Sequence, residues 1–228
     1  MMRMSVTVLV LLILSTLWGL TGCGSKENAD LPANDQQAAY TADQQLYEDA
    51  AKKLVGTFMR DLQGELMSAM KDGGPENAIR VCNTAAPEIA AAHSAQGWTI
   101  KRVSERFRNP DNRADTTELA VLARFADTTG APEIVANWTE IDSLRTFHFY
   151  KPIRVGQLCL NCHGGVQTLV PGVYQKLKKY YPADRAVGYK AGDLRGMFVV
   201  EAPWPDGVEY ARQLLNPDTT TTTDTIAQ

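Results

Sequence analysis

The sequence is poor in cysteine, shows no excess of basic residues and has no long apolar run beyond its N-terminus. Four cysteines in 228 residues are too few for a small fold built on disulfides. With 23 basic against 26 acidic residues the net charge is −3, which argues against a nucleic-acid-binding protein. One apolar stretch cannot make a polytopic membrane protein. A hydrophobic content of 44% is that of a globular chain, not a disordered one.

The N-terminal apolar run has the features of an export signal. Arg3 precedes residues 8–18, a segment too short for a comfortable membrane span. The run leads to Leu20-Thr21-Gly22-Cys23, which resembles a bacterial lipobox. That resemblance implies a signal peptide over residues 1–22, cleavage before Cys23 and lipid attached to this cysteine. The alternative is a plain secretory signal with an incidental cysteine. No Asp follows Cys23, so we expect a periplasm-facing anchor in the outer rather than the inner membrane.

Two polar segments flank the region that can fold. Residues 23–40 lack apolar periodicity, which predicts a lipidated flexible tether. Residues 217–228 include five consecutive threonines, Thr219 to Thr223, which predict a disordered tail. The region between them, 41–216, has the length of one domain.

A long amphipathic helix opens this domain. Thr41 and Gln44 form a capping box, and apolar residues follow at spacings of four, including Ala50, Leu54 and Phe58. The sequence Asp72-Gly-Gly-Pro75 ends this helix, and a second helix runs from Pro75 towards Gln96. Pro87 must kink or restart the second helix.

Shorter elements follow and favour an α+β fold. We expect strands at 98–103, at 144–150 with Pro152 closing the strand, and at 197–200, entered by a Gly192-Asp193 turn. We expect helices at 117–125 and 174–181 and a turn-rich loop at 108–112.

The sequence Cys159-Leu160-Asn161-Cys162-His163 is a CxxCH motif, the pattern of c-type haem attachment. Two thiols three positions apart can reach the two vinyl groups on one porphyrin edge, and the next residue can place its imidazole beneath the iron. With four Cys and three His in the chain, chance gives on the order of 10⁻³ matches. One motif predicts one covalently attached haem c.

Two other interpretations of the motif are weaker. A zinc site usually takes a second ligand pair at similar spacing, and the sequence has no other CxxC and no HxxxH. A thioredoxin-like redox pair belongs to a strand–helix junction, usually in a cytosolic βαβ context. Here the motif follows Pro152 in a chain that we expect to be exported.

The residues leave the second axial ligand open among Cys82, His93, His148 and methionines such as Met197. A lone Met in an apolar strand is usually core, and either His is more often a surface or satisfied residue. Cys82 is the one thiol not used by lipid or haem, although a buried cysteine is commonly a small hydrophobe.

Several motifs together resemble a family of single-haem c-type proteins, long catalogued as a domain of unknown function, with a PAS-like haem fold. Its members occur as free exported proteins and as extracytoplasmic sensing parts of kinases and chemoreceptors. The resemblance covers about residues 50–200. It depends on Ala78-Ile-Arg-Val-Cys82, Arg102 with Ser104, Arg108-Asn-Pro110, Pro152-Ile153, the CxxCH motif with Gly164, Tyr181-Pro-x-Asp184-x-Ala186-x-Gly188-Tyr189, and Gly192-Asp-x-Arg195-Gly196.

This resemblance implies a PAS-like antiparallel sheet flanked by helices, with iron held by His163 and the thiol of Cys82. Arg102, Arg106 and Arg195 are candidates to meet the haem propionates, since guanidinium pairs well with carboxylate, although surface arginines are common. Tyr189 is a candidate pocket wall, as are Trp98, Phe147 and Phe149, which as core aromatics need no cofactor to explain them.

Three functions are hypotheses for a single-haem protein of this kind. The first is a low-potential redox or ligand sensor, because axial-ligand identity tunes haem potential and a thiolate stabilises ferric iron. The second is a periplasmic electron-transfer cytochrome, and the third is a haem peroxidase, for which no spacing marks an acid–base residue. We expect a sensor or carrier rather than an enzyme, acting with the membrane at Cys23 and with a redox or signalling protein.

Overall fold

A computed structural model describes residues 33–217, which fall into two compact units divided between Ala39 and Tyr40. The described part of the first unit, 33–39, is helical, and the second unit holds the sheet and every site residue discussed below. The helices are α1 (Ala33–Ala92), α2 (Thr116–Ala126), α3 (Leu160–His163), α4 (Val173–Tyr180) and α5 (Val208–Leu215). The strands are β1 (Thr99–Val103), β2 (Val135–Ile141), β3 (Leu144–Arg154) and β4 (Leu194–Trp204).

The strands form one antiparallel sheet in the order β1-β4-β3-β2. Helices flank this sheet, which confirms the expected α+β class; the closer likeness to PAS domains stays a prediction. No helix within residues 33–217 is long and apolar enough to cross a membrane.

The α1 helix begins earlier than its sequence signals suggest. We expected the start at Thr41, but residues from Ala33 onward are helical, so the C-terminal part of the predicted 23–40 tether is not irregular. Residues 33–40 are rich in alanine and glutamine, which favour helix even without an apolar stripe. The predicted signal peptide at 1–22, Cys23 and the predicted disordered tail after Pro217 lie outside the described residues.

The predicted break in α1 is present at the two glycines. Gly73 has φ −160° and ψ 17°, and Gly74 has φ 66° and ψ −165°, which are not helical values. Pro87 lies within helical backbone, so the chain does not restart there. The helix ends at Ala92, and the left-handed residues Gln96 and Gly97 lead into β1.

One sheet face packs against α1 and forms the main core. The predicted residues Ala50, Leu54 and Phe58 are almost completely buried there, which confirms the helical period of four. Their partners on the sheet are mostly aromatic or β-branched: Ile100, Phe147, Phe149, Phe198 and Val200. The opposite face packs against α2 through Val103, Phe125, Tyr150, Met197 and Val199.

The strand at 144–150 does not end at Pro152 as predicted but continues to Arg154. β2 pairs with β3 only as far as Tyr150, so beyond that residue β3 has a neighbour on one side only. A proline is tolerated where a strand lies at an edge. The strand at 197–200 is likewise longer, spanning Leu194–Trp204.

Candidate functional site

The CxxCH motif forms a short helical turn. The backbone N–H of His163 donates to the carbonyl of Cys159 at 2.8 Å, and α3 ends at once at Gly164. Cys159, Cys162 and Cys82 are free thiols. Cys162 packs beside the cluster of Ile79, Leu177 and Tyr181, whereas Cys159 packs beside Ala186 and Tyr189. The turn therefore presents its two thiols to different walls of the site.

His163 is oriented by the loop that follows α4. Its Nδ1 lies 2.7 Å from the carbonyl oxygen of Ala186. A carbonyl only accepts, so Nδ1 carries the proton and Nε2 keeps a free lone pair. Burial, and then the guanidinium of Arg108, hold the pKa of His163 well below its ordinary value. The imidazole is thus in the neutral form that binds metals.

Arg108 joins the motif to this loop. Its Nη2 donates to the carbonyls of Cys162 at 2.6 Å and Ala186 at 3.2 Å, and its Nε lies 3.2 Å from the carboxylate of Asp184. Both side chains are nearly buried, with 11% of Arg108 and 4% of Asp184 exposed. Asp184 also accepts from the N–H of Ala186 at 2.8 Å, so this pair fixes the carbonyl that orients His163.

The loop makes a second backbone connection to His163. Gly188 has φ 80°, a value that favours glycine, and its N–H donates to Gly164 at 2.7 Å. The next N–H, that of Tyr189, donates to the carbonyl of His163 at 2.9 Å. The Tyr189 ring meets the imidazole edge-on, with centroids 6.2 Å apart. The structure therefore places Tyr189 beside His163, and its role as a wall of a haem pocket stays a prediction.

Cys82 lies on α1 near the same group of arginines. Burial raises the pKa of its thiol, and the charges of Arg102, Arg108 and Arg195 oppose this shift. The same three guanidiniums act on His163, so Cys82 and His163 face one cationic region. Ile79, one turn before Cys82, packs in the cluster that Cys162 borders.

Arg102 and Arg106 have different contacts, and this decides which of them is available to an acidic group. Arg102 stands over the ring of Phe58 at 5.8 Å, and no carboxylate within residues 33–217 pairs with it. Burial lowers its pKa, which the neighbouring Cys82 and Tyr181 partly offset. Arg106 stacks on Tyr189 at 4.1 Å and donates to the carbonyls of Arg185 and Val187, so it braces the loop backbone. Arg102 is the freer of the two to meet an acidic group.

The other candidate ligands are engaged elsewhere. Nε2 of His93 lies 2.8 Å from the carboxylate of Asp61. Nε2 of His148 lies 2.8 Å from the hydroxyl of Thr139, and its Nδ1 lies 3.4 Å from Glu201. Met197 is completely buried in the core below α2. Trp98, Phe147 and Phe149 are core aromatics in contact with α1 and do not line the CxxCH turn.

Sequence reasoning gave no role to Arg108, Asp184 or the carbonyl of Ala186. All three fall within motifs that carry the family resemblance. Their spacing in sequence does not predict the contact between Arg108 and Asp184, which are 76 residues apart. Only the proximity of Arg108-Asn-Pro110 to the Asp184 loop in space could have revealed it.

Comparison with known proteins gives two matches. A crystal structure described as the cyanobacterial heme-protein Tll0287 is similar, with 26% sequence identity, a TM-score of 0.47, and coverage of 66% of this chain and 92% of that one. No curated protein matches the chain. The family model described as Tll0287-like matches residues 26–203, which is most of the chain and includes every site residue from Cys82 to Arg195. The chain therefore belongs to the Tll0287-like family.

Proposed function

We propose that the chain is an exported, lipid-anchored protein carrying one haem c on Cys159 and Cys162, with His163 as an axial ligand. The observation that carries the proposal is the orientation of His163, whose Nδ1 is occupied by the carbonyl of Ala186 so that Nε2 remains available. His163 directly follows two free thiols, Cys159 and Cys162, at the spacing of c-type attachment. Bound haem would supply a one-electron iron couple and, with one ligand absent, a position for a diatomic gas.

The donor set suits this group. Thiols and an imidazole are ligands for haem iron, and a propionate-bearing ring needs cationic partners. Arg102 has no carboxylate partner within residues 33–217, and Arg195 donates only to the carbonyl of Arg106 there. Guanidinium groups of this kind pair well with carboxylates.

Cys82 is the proposed second axial ligand. It is influenced by the same arginines as His163, and its helix is anchored one turn earlier by Ile79 against the cluster beside Cys162. His93, His148 and Met197 each have other partners. Arg106 and Tyr189 are proposed as walls of the site rather than as direct propionate partners.

A His/Cys site favours a low-potential redox or ligand sensor, because thiolate stabilises ferric iron and its release would open a coordination position. A periplasmic electron-transfer cytochrome is the second candidate. It is favoured by two apolar side chains near the motif, Leu158 at 71% and Val166 at 39% exposure, which would suit a docking redox partner. Either role is proposed to act from the outer membrane, facing the periplasm, through lipid on Cys23.

Covalent attachment is tested on protein exported by a host that matures c-type cytochromes. Acid–acetone should leave the haem on the chain, and the denatured protein should be heavier by one haem. A Cys159→Ser, Cys162→Ser double variant should lose this added mass. Extraction of all haem from the unmutated chain would contradict the proposal. Cys23→Ser should abolish acylation, and an unmodified Cys23 in membrane-free native protein would contradict the anchor.

The second ligand and the role are tested by a spectroscopic series. Cys82→Ser should change the ferric EPR signature, raise the potential and ease CO binding, whereas Thr84→Ser on the exposed side of the same helix should change none of these. An unaltered ferric spectrum would return His93, His148 and Met197 to candidacy. In the native protein, ligand loss on reduction supports the sensor, and unchanged six-coordination in both redox states supports the electron carrier.

A further inference from the structure

A cavity of about 330 Å³ opens on the α2 side of the sheet, next to the site but not within the CxxCH turn. Its volume is at the lower end of the range for small-molecule pockets. One wall is apolar and comes from α2, through Leu119, Leu122 and Ala123. Arg106 and Arg195 also line the cavity and supply its cationic wall.

The cationic wall contains an arginine that has no acidic partner within residues 33–217. Arg195 makes one hydrogen bond, from Nη1 to the carbonyl of Arg106 at 3.2 Å, and no carboxylate within residues 33–217 pairs with it. Its guanidinium stands 5.7 Å from the centroid of the Tyr189 ring, and that of Arg106 stands 4.1 Å from the same centroid. The remaining N–H groups of Arg195 are therefore available as donors at a cavity whose α2 wall is apolar. A carboxylate that enters this cavity would pair strongly with the Arg195 guanidinium.

Within residues 33–217, Glu105 is the one acidic residue that lines the cavity. It is exposed to solvent, and within the described residues it forms no ion pair with either arginine. Two guanidiniums against one solvated carboxylate leave the cavity with a net positive lining. This charge favours an anion over a neutral or cationic molecule of the same shape.

The wall formed by α2 is accessible from solvent. Leu119 is 40% exposed, and Ala123 is exposed one turn further along the helix. Both are apolar side chains left uncovered at the edge of a cationic cavity. Apolar contact on one side and a charged donor on the other is the usual composition of a small-ligand pocket.

We infer that this cavity binds a small carboxylate with an apolar body, its carboxylate on Arg195 and its body against Leu119, Leu122 and Ala123. The inference goes beyond haem attachment, because none of these contacts involves Cys82, Cys159, Cys162 or His163. It rests on the proposed function in one respect: Arg195 is also a candidate partner of the haem propionates, so a propionate and the bound carboxylate would compete for this side chain.

The test is calorimetric titration of the full haem-loaded chain with three probes of one shape and different charge. Benzoate should bind and saturate, benzamide should bind at least about tenfold more weakly, since a hydrogen bond between charged groups contributes more than one decade of affinity, and benzamidine should not bind. Equal binding of benzoate and benzamide, or stronger binding of benzamidine, would overturn the inference.

Two tryptophan variants of α2 provide a matched pair. Ala123→Trp should fill the cavity and abolish benzoate binding, whereas Ala120→Trp, on an alanine that is also exposed but does not line the cavity, should leave benzoate binding unchanged. Both should keep the haem spectrum of the native chain, because neither residue touches the CxxCH turn. Benzoate binding that survives Ala123→Trp would overturn the inference. Failure of the native haem-loaded chain to bind benzoate would also overturn the inference. That result is expected if haem propionates already occupy the cavity.

Discussion

The core below α1 and the region around His163 are held together by different forces. In the core, rings such as Phe147 and Phe149 are completely buried against the helix, and the contacts are apolar. Around His163 the chain is irregular, and it is held by backbone carbonyls, by Arg108 and by a buried carboxylate. Apolar packing tolerates small changes of shape, whereas a buried ion pair requires both partners. The two regions should therefore respond differently to mutation.

Phe147→Ala should produce the largest loss of stability and should break the core without touching the site. The ring has no exposed surface and packs against Trp138 with centroids 5.0 Å apart. Removing a buried Phe costs about 3–5 kcal/mol in the free energy of unfolding. Denaturant unfolding measures this loss, and Leu144→Ala on the same strand, 74% exposed, should change little. Similar losses in the two variants would mean that β3 contributes to stability chiefly through its backbone.

Arg108→Met should produce the next largest loss and act at the site. It leaves the carboxylate of Asp184 buried without its cation, and losing one partner of a buried pair costs about 3 kcal/mol. The carbonyl of Ala186 should also lose its fixed position, so the haem spectrum should change, unlike in Phe147→Ala.

Denaturant unfolding and the ferric absorption spectrum together measure the effect of Arg108→Met. The double variant Arg108→Met, Asp184→Asn should recover part of the stability, because no unpaired charge then remains. A double variant that is less stable than the sum of the single losses would contradict the role assigned to this pair.

The same difference in forces explains which features the sequence could predict. Periodic burial is a local signal, so the register of Ala50, Leu54 and Phe58 in α1 followed from spacing alone. The CxxCH motif is also local, and so is the break at Gly73-Gly74.

Two features depended on tertiary contacts and were missed. β2 is an edge strand joined to β3 by Asp142-Ser143, both left-handed, without the usual Asn-Gly signal of such a turn. The Arg108–Asp184 pair joins segments far apart in sequence, and no pattern of spacing encodes that contact. Local periodicity could not supply either of them.

Gly188→Ala tests the backbone of the loop beside His163, because the substitution removes no side-chain contact there. A Cβ at Gly188 would meet Nη2 of Arg106 at 3.6 Å, an ordinary contact, so the cost comes from φ 80°. For a residue with a side chain, left-handed backbone costs about 1–2 kcal/mol. Differential scanning calorimetry should show a lower Tm than in Gly130→Ala, where the added Cβ meets nothing within 4 Å. Equal Tm values in the two variants would show that the loop relaxes without strain.

Glu201→Gln should have the smallest effect, because the contact between Glu201 and His148 is partly exposed, whereas the ion pair of Arg108 and Asp184 is buried. His148, whose Nδ1 lies 3.4 Å from the Glu201 carboxylate, lowers the pKa of Glu201 below its ordinary value of 4.5, against the opposing effect of burial. A carboxylate with a lowered pKa stabilises the fold above the unfolded-state value, and this contribution disappears as pH falls through the folded-state value. With 42% of the Glu201 side chain exposed, solvent screening limits the pair to less than about 1 kcal/mol. Urea unfolding at pH 6 and at successively lower pH should show a small advantage of the native chain over Glu201→Gln that shrinks below about pH 4.5. An advantage that grows on acidification would have the wrong sign for a lowered pKa and would contradict the pairing.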